Sequence, residues 1–568
     1  MRSFRAAGLV AAIMLLAAGC GGGSRQPAAK LAASQTLSFP ILTGNNVSSL
    51  DPAAFSGTQN LAFVDEMFAG LLTVDAQHRI QPMIATALPA VSADGTTYTF
   101  HLRTDARFWN GDAITSQDVL YSWNRTAALQ DSYADFFQPV TGYAAVASGQ
   151  RSTLSGLSAP NATTVVAKLQ APNSFWETQM ALWPAYIVDR KAVEGAGAGW
   201  WSNPATAVGA GPFRLVGYHT NASLDFAPVA HWWRGSTGTL THIHVDEGVD
   251  GSSAVKKYEA GGYDLIGPAG EIAPNDDVLR YANDPTKKGE LHLYNESGDT
   301  MMEYNYTGNS PFAPKAGITP GQPTQGLGED QGLSGRTAFS LAINRNQLAD
   351  VACIRSLTCT PATGGPIPAG LRGYLGNGAD PNAPAGGDPA KAKAEYRKWD
   401  PTGAKLQGLQ IQYNTNPFND EVWQNVQAQL QQTLGIKVAL DATDFPTLLS
   451  DQEAKKPALS RRATVASADN PENWFGESFS CEAGRVGGND PAGFCDPAVD
   501  RLAQQANGEP LAQGLTQYKQ ANELLVKDVY ADDLFYMRVP FLIHTYVRGA
   551  GYTGLSDNRW TGISVLQH

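Results

Sequence analysis

The chain has 568 residues, with 41 Lys and Arg against 53 Asp and Glu, giving a net charge of −12 and a pI near 5.3. That length is too great for one hydrophobic core, so two or three substructures are expected. The charges are scattered and form no basic stripe, which excludes nucleic acid as a partner.

At the N-terminus, Arg2 and Arg5 precede an apolar stretch from Ala6 to Ala18 that is too short to span a bilayer, and Gly19-Cys20 follow. This is the pattern of a secretory signal peptide over residues 1–19, with Cys20 as the residue to be acylated. An ordinary cleaved signal is the alternative, since Ala17 stands where such lipid-directing signals more often carry Leu. Residues 20–35, opening Cys-Gly-Gly-Gly-Ser, read as a flexible tether between a lipid anchor and a folded body outside the membrane. No second apolar run approaches membrane-spanning length.

Further along, Tyr98, Phe100 and Leu102 alternate with polar residues, which predicts a half-buried strand. Asn110-Gly111-Asp112 predicts a turn. Ser116 is the expected N-cap of a helix carrying Val119, Leu120 and Trp123, with Asp118 in its first turn. His242-Ile243-His244 in a strand places both imidazoles on one face, and Asp246 falls on the same face. Such a face offers metal ligands; the reading adopted is a solvent-facing strand edge with Ile243 and Val245 packed inward. Helices are predicted over Ala390–Trp399, Glu421–Leu434 and Tyr518–Tyr530, and strands over Leu409–Tyr413 and Gly435–Leu440. This is a βαβ-like rhythm that indicates a mixed α/β lobe. Gly- and Pro-rich loops separate the elements, and Trp123 and Trp423 are expected in the core.

Catalytic signatures are missing from the sequence. Neither Gly332-Leu333-Ser334-Gly335 nor Gly554-Leu555-Ser556-Asp557 has the spacing of a nucleophile elbow, and there is no H-E-x-x-H and no Walker A loop. The Gly195–Gly199 run lacks dinucleotide-loop spacing and reads as a plain loop. Apart from Cys20, the cysteines fall into two close pairs, Cys353 with Cys359 and Cys481 with Cys495. In an exported protein these read as two local disulfides, because neither pair has metal-finger spacing.

The stretch Asp94 to Arg125, DGTTYTFHLRTDARFWNGDAITSQDVLYSWNR, carries more than local structure. It closely resembles the signature of the extracytoplasmic solute-binding proteins that serve peptide and nickel ABC importers. Ser49-Leu50-Asp51-Pro52, Phe68-Ala69-Gly70-Leu71-Leu72 with Pro82 and Ala85, Gly209-Ala210-Gly211-Pro212-Phe213, Ala342-Ile343-Asn344-Arg345 and Gly551-Tyr552-Thr553-Gly554 are similar to further motifs of that family, in family order. The resemblance runs from about Ser49 to the C-terminus.

It implies an α/β, two-lobed fold of the periplasmic-binding-protein kind with a cleft and an inserted subdomain. Lobe I would comprise residues 36–66, 172–294 and 542–568, the insertion residues 67–171, and lobe II residues 295–541. It implies capture of oligopeptides for a membrane-embedded permease, by a monomer with no cofactor, no metal and no bond chemistry. Alternatives are a nickel complex, a glycoconjugate or a signalling peptide as ligand, an envelope lipoprotein outside transport, or an extracellular hydrolase. In oligopeptide-binding relatives a buried Asp meets the peptide α-ammonium. The matching stretch, Arg462 to Pro471, offers Asp469 for the ammonium and Arg462 for the carboxylate; the alternative for Asp469 is a loop residue starting a turn before Pro471. Ser56, Gly57 and Thr58 fall where relatives' N-terminal strand meets peptide.

Overall fold

A computed structural model of the chain describes residues 30–568 apart from 56–57, 130–132, 271–272, 326, 477 and 486–489. The expected signal peptide and Cys20 lie outside the described residues.

In the first lobe, the strand Thr36–Leu42 pairs in parallel with His242–Val249, which continues antiparallel to Ser223–Pro228 and then Phe213–His219. Alternation sends Leu37, Phe39, Ile41, Ile243, Val245, Leu224, Phe226, Phe213 and Leu215 to one buried face. Trp560, near the C-terminus, packs edge-on against Phe39, Phe63, Phe213 and Phe226, so the last residues of the chain complete a core begun by the first described strand. The sequence reading made His242–Asp246 a sheet edge; the strand instead lies between two neighbours, and only its polar face is open.

A second core belongs to the insertion. The antiparallel sheet Ala90–Val91, Thr97–His101, Thr164–Lys168, Leu157–Asn161 is covered by the helix Ser116–Leu129, whose Trp123 lies edge-on to Phe100 and Trp176. Ser116 is not the N-cap: it lies in the helix and donates to the Asn161 carbonyl. The first turn is closed by Asp118, which accepts from the backbone N–H and the hydroxyl of Thr115.

The second lobe is built on a seven-stranded sheet. Two of its strands, Leu291–Tyr304 and Ala531–Ile543, are long and paired to each other along most of their length. At one end Val539, Phe541 and Ile543 enter the first lobe's core; at the other, Met301, Met302, Leu534 and Phe535 enter the second's. Positions 294 and 541 fall inside these continuous strands, which contribute side chains to both cores. The βαβ unit is present: Gln410–Asn414 and Ala439–Thr443 are parallel neighbours joined by the helix Pro417–Leu434. Gly435 ends that helix at φ 73°, which moves the second strand a few residues later than hydrophobicity alone indicated. The last predicted helix begins earlier than expected, at Leu511, and ends at Lys527. Cys353 is joined to Cys359, and Cys481 to Cys495.

Candidate ligand-binding cleft

Two adjoining cavities of about 500 and 350 Å³ lie between the lobes and share Leu61, Asp65, Trp183, Ser467, Leu555 and Ser556 on their walls. The outer, larger one is walled on one side by the helix Leu61–Met67, the hairpin of strands Leu72–Val74 and Ile80–Pro82, and the helix Phe175–Gln179. On the other side stand Arg372, Ser467–Asp469 and the start of the helix Leu511–Lys527. Both lobes and the C-terminal segment Thr553–Arg559 thus converge on it.

Asp469 is 8 % exposed and lines this outer cavity. Its Oδ1 accepts from the Arg372 backbone N–H at 2.6 Å, while Oδ2 lies 3.3 Å from Arg372 Nη1 and 3.5 Å from His78 Nδ1. It does not cap the following turn; Asn470 does, accepting from the Glu472 N–H at 3.0 Å. Arg372 also donates to the carbonyls of His78 and Asp469. The hydrogen bond to Asp469 raises the pKa of His78 against the opposing effect of burial. Glu177, on the facing helix, has no hydrogen bond or ion pair among the described residues, and burial raises its pKa.

The inner cavity is acidic. Asp65, Glu66, Glu296 and Asp557 line it, and among the described residues no Lys, Arg or His does. Asp65 accepts from the Tyr186 hydroxyl at 2.7 Å and lies 3.7 Å from Nη2 of Arg559, a residue of the outer wall. Glu66 Oε1 accepts from the Trp560 N–H and Asp557 Oδ2 from the Ala269 N–H, whereas Glu66 Oε2 and Asp557 Oδ1 are buried without a partner among the described residues. Burial pushes both carboxyls up to about 7, and raises that of Glu296. Val465, 59 % exposed, also lines this cavity. It ends the strand Leu459–Val465, which pairs with Gln410–Asn414 only at Leu459 and Ser460 and beyond them has a neighbour on one side only among the described residues.

Of the candidate ligand-binding residues named from the sequence, Asp469 is the one among the described residues that lines these two cavities. Arg462 does not: its guanidinium pairs with buried Glu303 at 2.8 Å and lies 3.7 Å from Asp490, inside the second lobe. Ser56 and Gly57 lie outside the described residues, and Thr58 opens the turn that leads into the helix Leu61–Met67. His78, Glu177, Arg372, Glu66 and Asp557 were missed, because no local pattern marks a residue whose surroundings come from distant parts of the chain.

A cleft between two α/β lobes crossed by paired strands, walled by polar groups from both, defines a ligand-binding protein of the two-lobed class. Residues 79–485 match the bacterial extracellular solute-binding proteins, family 5 (Middle), and the chain belongs to that family. It is 23% identical over 536 residues to the dipeptide-binding protein DppE of Bacillus subtilis, covering 91% of this chain and 90% of that protein. It is 24% identical over 535 residues to the periplasmic oligopeptide-binding protein OppA of Haemophilus influenzae, covering 90% of each. Among solved structures, the unliganded open form of the periplasmic murein tripeptide binding protein MppA superposes with a TM-score of 0.77 at 21% identity, over 95% of this chain and 99% of that one. Among the described residues no helix is long and apolar enough to cross a membrane.

Proposed function

We propose that this chain captures extracellular peptides in the interlobe cleft and delivers them to an ABC permease, tethered to the membrane through an acylated Cys20 and performing no bond chemistry. The observation that carries this reading is the interlobe cavity of about 500 Å³ with a nearly buried carboxylate, Asp469, on its wall. Asp469 Oδ1 is held by a backbone N–H, while Oδ2 meets the Arg372 guanidinium and the His78 imidazole only at 3.3 and 3.5 Å. A ligand ammonium at charge-assisted hydrogen-bond distance, about 2.8 Å, makes a stronger contact than either. Glu177, on the opposite wall, adds a second carboxylate to the same cavity. The one-sided end of the strand Leu459–Val465 suits an extended peptide, whose main chain supplies hydrogen bonds while its side chains enter roomy spaces. One of those spaces is the inner cavity, whose four carboxylates favour a Lys or Arg side chain. The names of the relatives, binders of dipeptides and oligopeptides, support the ligand class. Closure of the lobes on ligand is the functional event, driven by the ligand's higher affinity for the closed form.

Native mass spectrometry of protein purified without refolding, followed by calorimetry with synthetic peptides, tests the reading. Co-purifying or titrated peptides binding at one per chain support it. A retained non-peptide ligand, with no peptide from a mixed library binding, overturns it.

A further inference from the structure

On the far side of the first lobe from its core, the strand His242–Val249 turns His242, His244 and Asp246 outward, each half-buried. A two-histidine strand needs a third ligand before it defines a site, and the antiparallel register supplies one: Asp225, on the neighbouring strand, stands directly opposite His244. Asp225 Oδ1 is 3.0 Å from His242 Nε2 and 2.8 Å from His244 Nδ1, and the three ligand atoms lie within 4.8 Å of one another. Tetrahedral coordination with metal–ligand bonds of about 2.1 Å sets its ligand atoms roughly 3.4 Å apart, so small side-chain rotations suffice to admit an ion.

The surrounding groups act as an outer shell. His244 Nε2 is 3.0 Å from Asp246 Oδ1, and Asp246 Oδ2 is held in turn by Lys257 Nζ at 2.6 Å and the Tyr263 hydroxyl at 2.8 Å. Both imidazole nitrogens of His244 face carboxylate oxygens, which only accept, so a bound ion takes the place of the proton on Nδ1 while Asp246 keeps the proton on Nε2 and holds the ring in orientation. The ligand side chains are 40 % (His242), 34 % (His244) and 23 % (Asp225) exposed, which leaves solvent access for a fourth, water ligand.

We propose that Asp225, His242 and His244 bind one divalent transition ion of the zinc type, with Asp246 as the residue that orients His244. The mixed imidazole–carboxylate set suits zinc and its neighbours and is too poor in oxygen for calcium or magnesium. None of the three ligands lines the cleft cavities, so the ion clamps two strands of the first lobe and takes no part in ligand capture.

The purified full chain, stripped of metal and dialysed, is titrated with ZnCl2 by calorimetry and with CoCl2 by visible absorption. One saturable equivalent of Zn²⁺ and intense low-coordinate cobalt bands are expected. His242→Ala with His244→Ala abolishes both, and Asp246→Asn weakens Zn²⁺ by about 10–100-fold. Asp225→Asn, which nearly keeps shape, carries the test if the double variant does not fold, and is expected to lose at least tenfold in affinity. Absence of saturable binding, or stoichiometry and affinity unchanged in the folded variants, overturns the site and leaves an ordinary surface ion-pair network.

Discussion

His78 Nδ1 stands 3.5 Å from Asp469 Oδ2, although the two residues come from opposite walls of the cleft. His78 sits at φ 58° in the turn of the hairpin Leu72–Pro82, which Asp75 organises by accepting from the N–H groups of Gln77 and Arg79. From there its other ring nitrogen reaches the Thr553 carbonyl at 3.0 Å. One side chain thereby ties the hairpin, the C-terminal segment and the second lobe together.

This contact is expected to make the approach of the two cleft walls pH-dependent. The pKa of His78 is raised in the fold by Asp469, so its contribution is fully present below the ordinary imidazole value and is lost as pH rises through the folded-state value. Small-angle scattering of ligand-free protein is expected to show a more compact average at pH 5.5 than at pH 8.5. His78→Gln should remove most of that difference; an unchanged pH response in the variant would place its origin elsewhere.

Asp469→Asn removes the charge proposed to meet the peptide ammonium while nearly keeping shape. Truncating one partner of such a buried pair costs about 2–5 kcal/mol, roughly thirtyfold or more in affinity. N-acetylating the peptide should weaken the wild type by a similar factor and scarcely affect the variant. Calorimetry on the four combinations forms a double-mutant cycle, and additive losses would sink the pairing. Glu177→Gln in the same assay reports how the ammonium is divided between the two walls.

The inner cavity predicts a preference of opposite pH sense. Glu66 and Asp557, both pushed up to about 7 by burial, are ionised only above that value, so a Lys-bearing peptide should gain affinity over its norleucine analogue as pH rises from 6 to 8. For the ligand-free protein the sign reverses. A raised carboxyl pKa gives stability that is present below the unfolded value and lost as pH rises through about 7. Thermal midpoints that climb steadily from pH 6 to 8 without ligand would contradict this.

Closing loops of sequence separation 6 and 14, the two disulfides should each contribute modestly. The chain-entropy relation gives about 2 kcal/mol for the shorter loop and about 3 kcal/mol for the longer. Cys353→Ser with Cys359→Ser, and Cys481→Ser with Cys495→Ser, should lower the denaturant midpoint in that order of severity while leaving a cooperative transition.

Cys20→Ser is expected to leave an unprocessed precursor without lipid. Metabolic labelling with a fatty acid checks this, and label persisting in the variant would refute acylation at Cys20.

Much of the local architecture was legible in the chain itself. Alternating Tyr98, Phe100 and Leu102, the helix ending at Trp399 and the parallel pair around the helix Pro417–Leu434 follow from period and turn chemistry, which depend on neighbours in sequence. The close cysteine pairs likewise needed only short separations. Cleft electrostatics did not follow, because charge pairing is set by distance in space. Arg462 and Asp469 lie seven positions apart, yet one faces Glu303 inside a lobe, while the other meets Arg372 on its own wall and His78 across a cavity. The sequence named Asp469 by motif, whereas the register of two strands brought Asp225 to His242 and His244, and the docking of the C-terminal segment buried Asp557 and Glu66 in one compartment. Periodicity determines which face of an element is buried; only the packing of elements from distant parts of the chain decides which charges meet there.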